Sequence, residues 1–292
     1  VTEPDDRRRS LESFDVVRGL DLDWFLDHGL RAPGGEQPIT GRRELGDGRV
    51  RLSHPPVPGP RTGDRWQRAQ VSEGRFWQGW RRHPVYRATE LRGYWQRMID
   101  FSGGAMAPGR ILDVGCGPVS LLGFHRPAGA RVFGVDPLAT WYRDQGLLEC
   151  DESLGPIAMA ACPAEALPFA DRTFDTILSI NMLDHCAHPG AVLAEMMRVL
   201  AAGGCLRLVI YTFPFWLRPL LAGDPTHPYH WTANQVGDLV VSAGFEIRSR
   251  RLEPRRFQVP PDERWWRWLR YRAAGRLVKV LALELIRTEA AR

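Results

Sequence analysis

Apolar positions first fall into a regular rhythm between Trp66 and Trp80, where Trp66, Ala69, Phe76, Trp77 and Trp80 recur near the spacing of one helix face. A second helical stretch follows from about Thr89 to Phe101. From Arg110 the rhythm changes. Arg110 to Val114, Arg131 to Val135, Thr173 to Ile180 and Cys205 to Tyr211 are short apolar runs of strand length, and helix-compatible stretches such as Ala191 to Leu200 lie between them. Thr232 with Gln235 forms a capping-box pattern, so a helix is expected to start there. Gly244 ends it before a strand from Phe245 to Arg250. Leu277 to Ile286 alternates poorly and so reads as a last, buried strand. Strands alternating with helices predict an α/β fold: a doubly wound, mostly parallel sheet covered on both faces.

The first hundred residues read differently. Residues 1 to about 65 are rich in Gly, Pro and Arg. Within them, Thr40 to Leu45, Gly46-Asp47-Gly48 and Arg49 to Ser53 predict a hairpin with a glycine turn. His54 to Pro60 holds four prolines and is expected to be a linker. The chain thus divides into a hairpin and helical cap over residues 1–100 and a main domain over 101–292. The aromatic residues of the two helices are expected to dock the cap, with direct ligand contact by Trp77, Tyr94 or Trp95 as the alternative.

Composition changes this picture little. At 292 residues, with 44% hydrophobic and 25% charged positions, the chain suits one large globular domain with additions. No apolar run approaches the roughly 20 residues of a membrane span, and Val1 to Arg9 has no apolar core of the kind a secretory signal needs. The five cysteines form no C-x-x-C pair, so reduced thiols and a cytoplasmic setting are expected. The net charge of +5 is nearly all arginine and is interspersed with acids, which points to solvated surface and away from nucleic acid.

In doubly wound sheets ligands bind at the carboxyl ends of strands, so the loops after each strand carry the chemistry. Asp113-Val114-Gly115-Cys116-Gly117 directly follows the first apolar strand, and its glycines let a ligand approach the backbone. The third glycine of a dinucleotide fingerprint is replaced by Ser120, which counts against NAD. Asp136, about 20 residues on, can accept hydrogen bonds from both hydroxyls of a ribose. Together the two loops imply an adenosine-type ligand.

The strings "ILDVGCGP", "VFGVDP", "AEALPFADRTFDTILSINMLDH" and "EMMRVLAAGG" occur in that order. Over Arg110 to Gly204 the chain resembles the class I S-adenosylmethionine-dependent methyltransferases, more narrowly those acting on small molecules. The resemblance implies a Rossmann-like sheet of seven strands and S-adenosyl-L-methionine as cofactor. It places Asp113, Gly115, Cys116 and Gly117 along the methionine and ribose portion and Asp136 on the ribose hydroxyls. Pro137 and Leu138 would flank the adenine, Ala164 and Glu165 would lie along its edge, and Asn181, Met182 and Leu183 would lie beneath the methionine. Relatives usually carry an Asp before the Ala-Glu pair, where this chain has Pro163.

Methyl transfer needs a nucleophile held close to the methyl carbon and, for a hydroxyl or protonated amine, a base. His185, His227 and His230 are the candidate bases. Asp184, Asp224, Tyr229, Trp231 and Tyr94 are the candidate acceptor-binding residues, most of them in an acceptor-side segment, 212–235. A metal site from Asp184, His185, Asp224, His227 and His230 is the lesser alternative; no tight ligand spacing is present, so none is assigned. Similar proteins with an "HPYHWT"-like segment often modify sugars or other natural products, antibiotics among them. The acceptor is therefore expected to be a polar small molecule methylated on O or N. Trp265, Trp266 and Trp268, in an insertion at 262–275, would form a lid, a homodimer contact or an interfacial membrane helix, in that order of preference. The alternatives are an NAD-linked oxidoreductase, a nucleic-acid methyltransferase, and a cofactor-binding module without transfer. The absence of an "NPPY"-type motif after Ile180 speaks against base methylation.

Overall fold

A computed structural model describes residues 10–58, 64–82, 88–217, 227–255 and 277–287. The described residues form one continuous sheet of ten strands. Its centre is parallel: β4 (Arg110–Val114), flanked by β5 (Arg131–Val135) and then β6 (Ala158–Ala160) on one side, and by β7 (Phe174–Ile180) and then β8 (Leu200–Thr212) on the other. The first two runs coincide with the strands expected from sequence, because strands covered on both faces are apolar throughout. Beyond β8 the sheet turns antiparallel, with β10 (Lys279–Arg287) inserted between β8 and β9 (Phe245–Pro254).

The sheet has ten strands and not seven because the N-terminal segment joins it. β1 (Ser10–Val17) runs antiparallel to β6, pairing Val16 with Ala160 and Val17 with Met159. β3 (Arg49–Pro58) pairs with β1, and β2 (Gly41–Glu44) completes the expected hairpin, its turn carried by Gly46 and Gly48 at φ 75° and 77°. The hairpin is therefore an extension of the main sheet. The linker expected from His54 to Pro60 is instead strand as far as Pro58. Its prolines are tolerated for two reasons. Pairing with β2 stops at Ser53, which frees that edge, and the β1–β3 register shifts between Leu11 and Ser13, leaving residues 54–56 without ladder partners. The rest of that segment lies outside the described residues, as does the Trp-rich stretch 262–275.

Two apolar layers flank the sheet. On one face α1 (Leu22–His28), α5 (Pro189–Val199) and α6 (Ala233–Ser242) pack on Leu112, Val114, Phe133 and Val135. Phe25, Phe133, Phe169 and Phe174 interlock there, with ring centroids 4.7–6.3 Å apart. Each such buried ring contributes about 1.5–3 kcal/mol. The capping box of α6 forms as its sequence predicts: Gln235 donates its backbone N–H to Thr232 Oγ1, and the Gln235 side chain accepts from the Thr232 amide. On the other face α3 (Ala88–Ser102) packs through Leu91, Trp95 and Ile99 on Ile111, Val132 and Leu178, while Trp77 and Trp80 of α2 (Asp64–Trp80) border the same layer. A short helix, α4 (Ala139–Asp144), follows β5. Strand alternation sends Asp113 to the face of Ile111, under the α2–α3 layer.

Candidate active site

The carboxyl ends of β4, β5 and β7 open into a cavity of about 860 Å³ roofed by α2 and α3, within the size range of small-molecule sites. Its floor begins with the loop after β4. Gly115 and Gly117 sit at φ 70° and 59°, in the left-handed region that favours glycine. The amides of Gly115 and Cys116 both donate to Val135 O (2.7 and 3.2 Å), which pins the loop to β5. A Cβ on Gly115 would lie 2.5 Å from Met182 Cβ, and one on Gly117 would lie 3.2 Å from the Trp77 ring. The loop is thus held open by the absence of side chains.

Two carboxylates are buried at this floor. Asp113 accepts from Ser120 Oγ at 2.6 Å, and burial pushes its carboxyl up to about 6 against that hydrogen bond and one from the Leu121 amide. It lies beneath the loop and is not part of the cavity wall. Asp136 does line the cavity. It accepts from the amides of Gly117 (3.0 Å) and Leu138 (2.8 Å). Burial pushes Asp136 up to about 7, with those amides opposing the rise and Glu73 and Asp113 adding to it.

Past β7, Asn181 takes φ 52°, a conformation Asn tolerates better than other non-glycine residues. Its amide donates to Val209 O at 2.7 Å, and its buried Oδ1 has no hydrogen-bond partner. Pro137, Pro163, Ala164 and Met182 complete this half of the wall. Glu165 also borders it, but its Oε1 accepts the amides of Ala187 (2.9 Å) and His188 (3.1 Å) and so tethers the start of α5. Leu138 and Leu183 are not among the cavity walls, and Leu183 is fully buried.

The opposite half is aromatic and basic. Trp66, Trp77, Trp80, Tyr94, Trp95 and Tyr211 line it, together with Arg97 and Arg255. The Arg255 guanidinium lies 3.8 Å from the Tyr211 ring centroid, burial raises the Tyr94 phenol above its usual range, and the Trp95 indole N–H is buried without an acceptor. Between the two halves stand Glu73, His185 and His227, with Trp77 bonded to the first. Trp77 Nε1 donates to Glu73 Oε1 at 2.8 Å, Glu73 Oε2 lies 3.8 Å from His185 Nδ1, and the His185 and His227 rings are 4.4 Å apart.

The other candidates on the acceptor side fall elsewhere. His230 is buried against Phe213, 5.0 Å between ring centroids, and does not border the cavity. Tyr229 stacks on Trp231 at 4.8 Å and donates its hydroxyl to Ala187 O, so both residues brace α5 and α6 outside the cavity wall. Asp224 lies outside the described residues. Glu73 was not singled out from sequence. The signal for it was present, since it precedes Trp77 by one helical turn on the face that meets the sheet.

Residues 112–208 match the profile of a family described as methyltransferase domain. An uncharacterized methyltransferase of Mycobacterium avium (strain 104) is 36% identical over 123 residues, which cover 40% of this chain and 44% of that protein. Residues 112–208 are a class I, S-adenosylmethionine-dependent methyltransferase domain. The chain spans under half of the length of such relatives. In fold, the methyltransferase domain and its surroundings resemble a chain of the Haloferax volcanii complex between the Trm112 methyltransferase activator and a methyltransferase. That likeness has a TM-score of 0.55 at 14% identity and covers 77% of this chain and 99% of that one. A Haemonchus contortus phosphoethanolamine N-methyltransferase 2, solved with phosphomonomethylethanolamine and S-adenosylhomocysteine, matches with a TM-score of 0.50 at 14% identity, over 91% of this chain and 72% of that one.

The cofactor of the methyltransferase domain is S-adenosyl-L-methionine, and the residues present suit it. The floor offers a cradle that any Cβ on Gly115 would fill, a carboxylate at Asp136 facing the cavity, and an unpartnered acceptor at Asn181 Oδ1. Among the described residues no helix is long and apolar enough to cross a membrane, and the five cysteines are free thiols.

Proposed function

We propose that the protein methylates an oxygen or nitrogen of a small molecule, using S-adenosylmethionine bound on the floor of the cavity. The observation that carries this reading is the continuity of the cavity: one space runs from the glycine loop and Asp136, past Asn181, to Glu73, His185 and His227. In this reading the Gly115–Gly117 backbone passes close to the cofactor, Asp136 accepts from the ribose hydroxyls, and Asn181 Oδ1 accepts from the methionine ammonium. Pro163 supplies no acceptor for the adenine amino group, and Glu165 already spends one oxygen on Ala187 and His188. Adenine recognition therefore falls to shape, main-chain groups and the second Glu165 oxygen.

When bound, the cofactor supplies an activated methyl group on sulfur. The chain must then bring the acceptor atom into line, exclude water and manage one proton. The aromatic walls grip the apolar or flat face of the acceptor and displace water. Glu73, His185 and His227 face the reacting end and are the groups available to take up, or stabilise the loss of, the acceptor's proton. Sugars, aminosugars and other natural-product intermediates combine a polar reacting group with a face that stacks on aromatic rings, and they suit such a site. A cavity of this size roofed by helices suits them better than a duplex or a folded RNA.

Calorimetric titration with S-adenosylhomocysteine and with NAD separates this reading from a dehydrogenase. Saturable binding of the first alone is expected, and binding of NAD alone would overturn the proposal. Transfer of labelled methyl from the cofactor to a small-molecule extract, and not to RNA or DNA, is the matching activity test.

A further inference from the structure

Asp184 is the least expected residue near the cavity. Its side chain is 1% exposed, and neither carboxylate oxygen has a hydrogen-bond partner. An isolated carboxylate so placed is costly, and the ordinary remedies are a proton, a hydrogen-bonded partner or a cation. Two imidazoles stand over it. His185 Nε2 lies 4.0 Å from Asp184 Oδ1, and one ligand atom from each of Asp184, His185 and His227 falls within 4.8 Å of the others. Donors around a hard or borderline cation with bonds of roughly 2.0–2.6 Å are separated by about 3–5 Å, so this spacing accommodates one ion. Behind His185 stands Glu73, with Oε2 3.8 Å from Nδ1. A carboxylate behind an imidazole, opposite the ligating nitrogen, is the usual way a ligand histidine is oriented and kept basic. Sequence alone offered Asp184, His185, Asp224, His227 and His230 as possible ligands without a tight spacing, and the fold brings three of them together.

We propose that Asp184, His185 and His227 hold a divalent cation at the acceptor end of the cavity, with Glu73 orienting His185. Two nitrogen donors and one oxygen donor favour a first-row ion such as Mn2+, Co2+ or Zn2+ over Mg2+ or Ca2+. His185 and His227 line the cavity while Asp184 lies behind them, so the ion keeps open positions on the cavity side. An acceptor hydroxyl bound there loses its proton to solvent more readily, and its oxygen is held facing the cofactor floor. That role rests on the methyltransferase reading; the binding of the ion does not.

The test uses the full-length protein, stripped with a chelator and dialysed. Co2+ is titrated while its visible absorption is followed, and S-adenosylhomocysteine binding is measured calorimetrically on the same samples. One equivalent of Co2+ is expected. Asp184→Asn and His227→Gln should each weaken it at least tenfold, and Glu73→Gln by about 10–100-fold. His227→Gln alters a partly exposed residue, so it reports even if Asp184→Asn fails to fold. Bound Mn2+ should also enhance solvent proton relaxation, since its open positions take exchanging water. Absence of saturable Co2+ binding, or binding unchanged in the His227 and Glu73 variants, refutes the site. Retained S-adenosylhomocysteine binding in that case leaves the methyltransferase reading standing, whereas bound Co2+ without S-adenosylhomocysteine binding would sink that reading and keep the ion.

Discussion

Replacing Asp136 by Asn should stabilise the free protein while disabling its cofactor site. Burial moves Asp136 from the ordinary carboxylate value of 3.8 to about 7, which corresponds to about 4 kcal/mol of penalty on the charged form. Because the folded value is raised, the associated stability is fully present below 3.8 and is lost as pH climbs through about 7. The free protein is therefore expected to be more stable at pH 5 than at pH 8 by roughly 2–3 kcal/mol from this residue alone. Asp113, raised to about 6, adds to the same trend. Asn carries no charge, but it can accept from only one of the two amides, Gly117 or Leu138, that Asp136 now satisfies. Leaving the other unpaired costs about 1–3 kcal/mol. The net gain at pH 8 should thus be about 1–3 kcal/mol, shrinking to zero or reversing at pH 5. Urea unfolding of both proteins from pH 5 to pH 8 measures this directly, and the difference between the proteins cancels other titrations. A difference that stays constant across that range would show that Asp136 is ionised throughout and that its burial has been misjudged. Cofactor affinity supplies a second check. In the proposed role of Asp136 the charged carboxylate holds the ribose hydroxyls, so wild-type affinity should fall about tenfold per pH unit below 7, whereas the variant should bind weakly at every pH.

Three further substitutions separate site from scaffold. Gly115→Ala forces a side chain into a left-handed backbone and against Met182 Cβ; a loss of about 2 kcal/mol or more and of detectable S-adenosylhomocysteine binding is expected, and normal binding would show that the loop can move. Glu165→Ala removes the acceptor for the Ala187 and His188 amides and should cost about 1–2 kcal/mol by denaturant melt, with a smaller loss of affinity than Gly115→Ala. Thr232→Ala breaks the capping box of α6 and should cost about 1 kcal/mol with cofactor affinity unchanged, so a binding defect there would mean that α6 shapes the site.

What the sequence disclosed follows from how each element is buried. β4 and β5 are covered on both faces, so their apolar runs marked them to the residue, and the loops that follow them line the cavity floor. β1 reads SLESFDVV, with acids at Glu12 and Asp15, and no local pattern says that it will pair with β6. β6 itself is three residues long, too short for any periodicity. In β3 the prolines argued for a linker, and only the shifted β1 register and the free edge beyond Ser53 make them acceptable in a strand. On the acceptor side the histidines looked alike in sequence. Position separates them: His227 meets His185 at the cavity, while the side chain of His230, three residues on, packs against Phe213. Glu73 gained its meaning only when α2 was laid across the floor.

The order of strands also governs how the chain can be born. β1 leaves the ribosome well before β6, since its partner there, Ala160, is 144 residues downstream of Val16. Until then the β1–β3 pairing stands alone with an open edge, a form prone to join other chains. The opposite flank has the same problem in reverse, since β9 reaches the sheet only through β10, which is made later. The parallel centre can gather during synthesis, but the flanks must be sealed afterwards, by contacts that close long loops and form slowly. Expression of this protein should accordingly respond to slowed translation and to chaperones that shield bare strand edges.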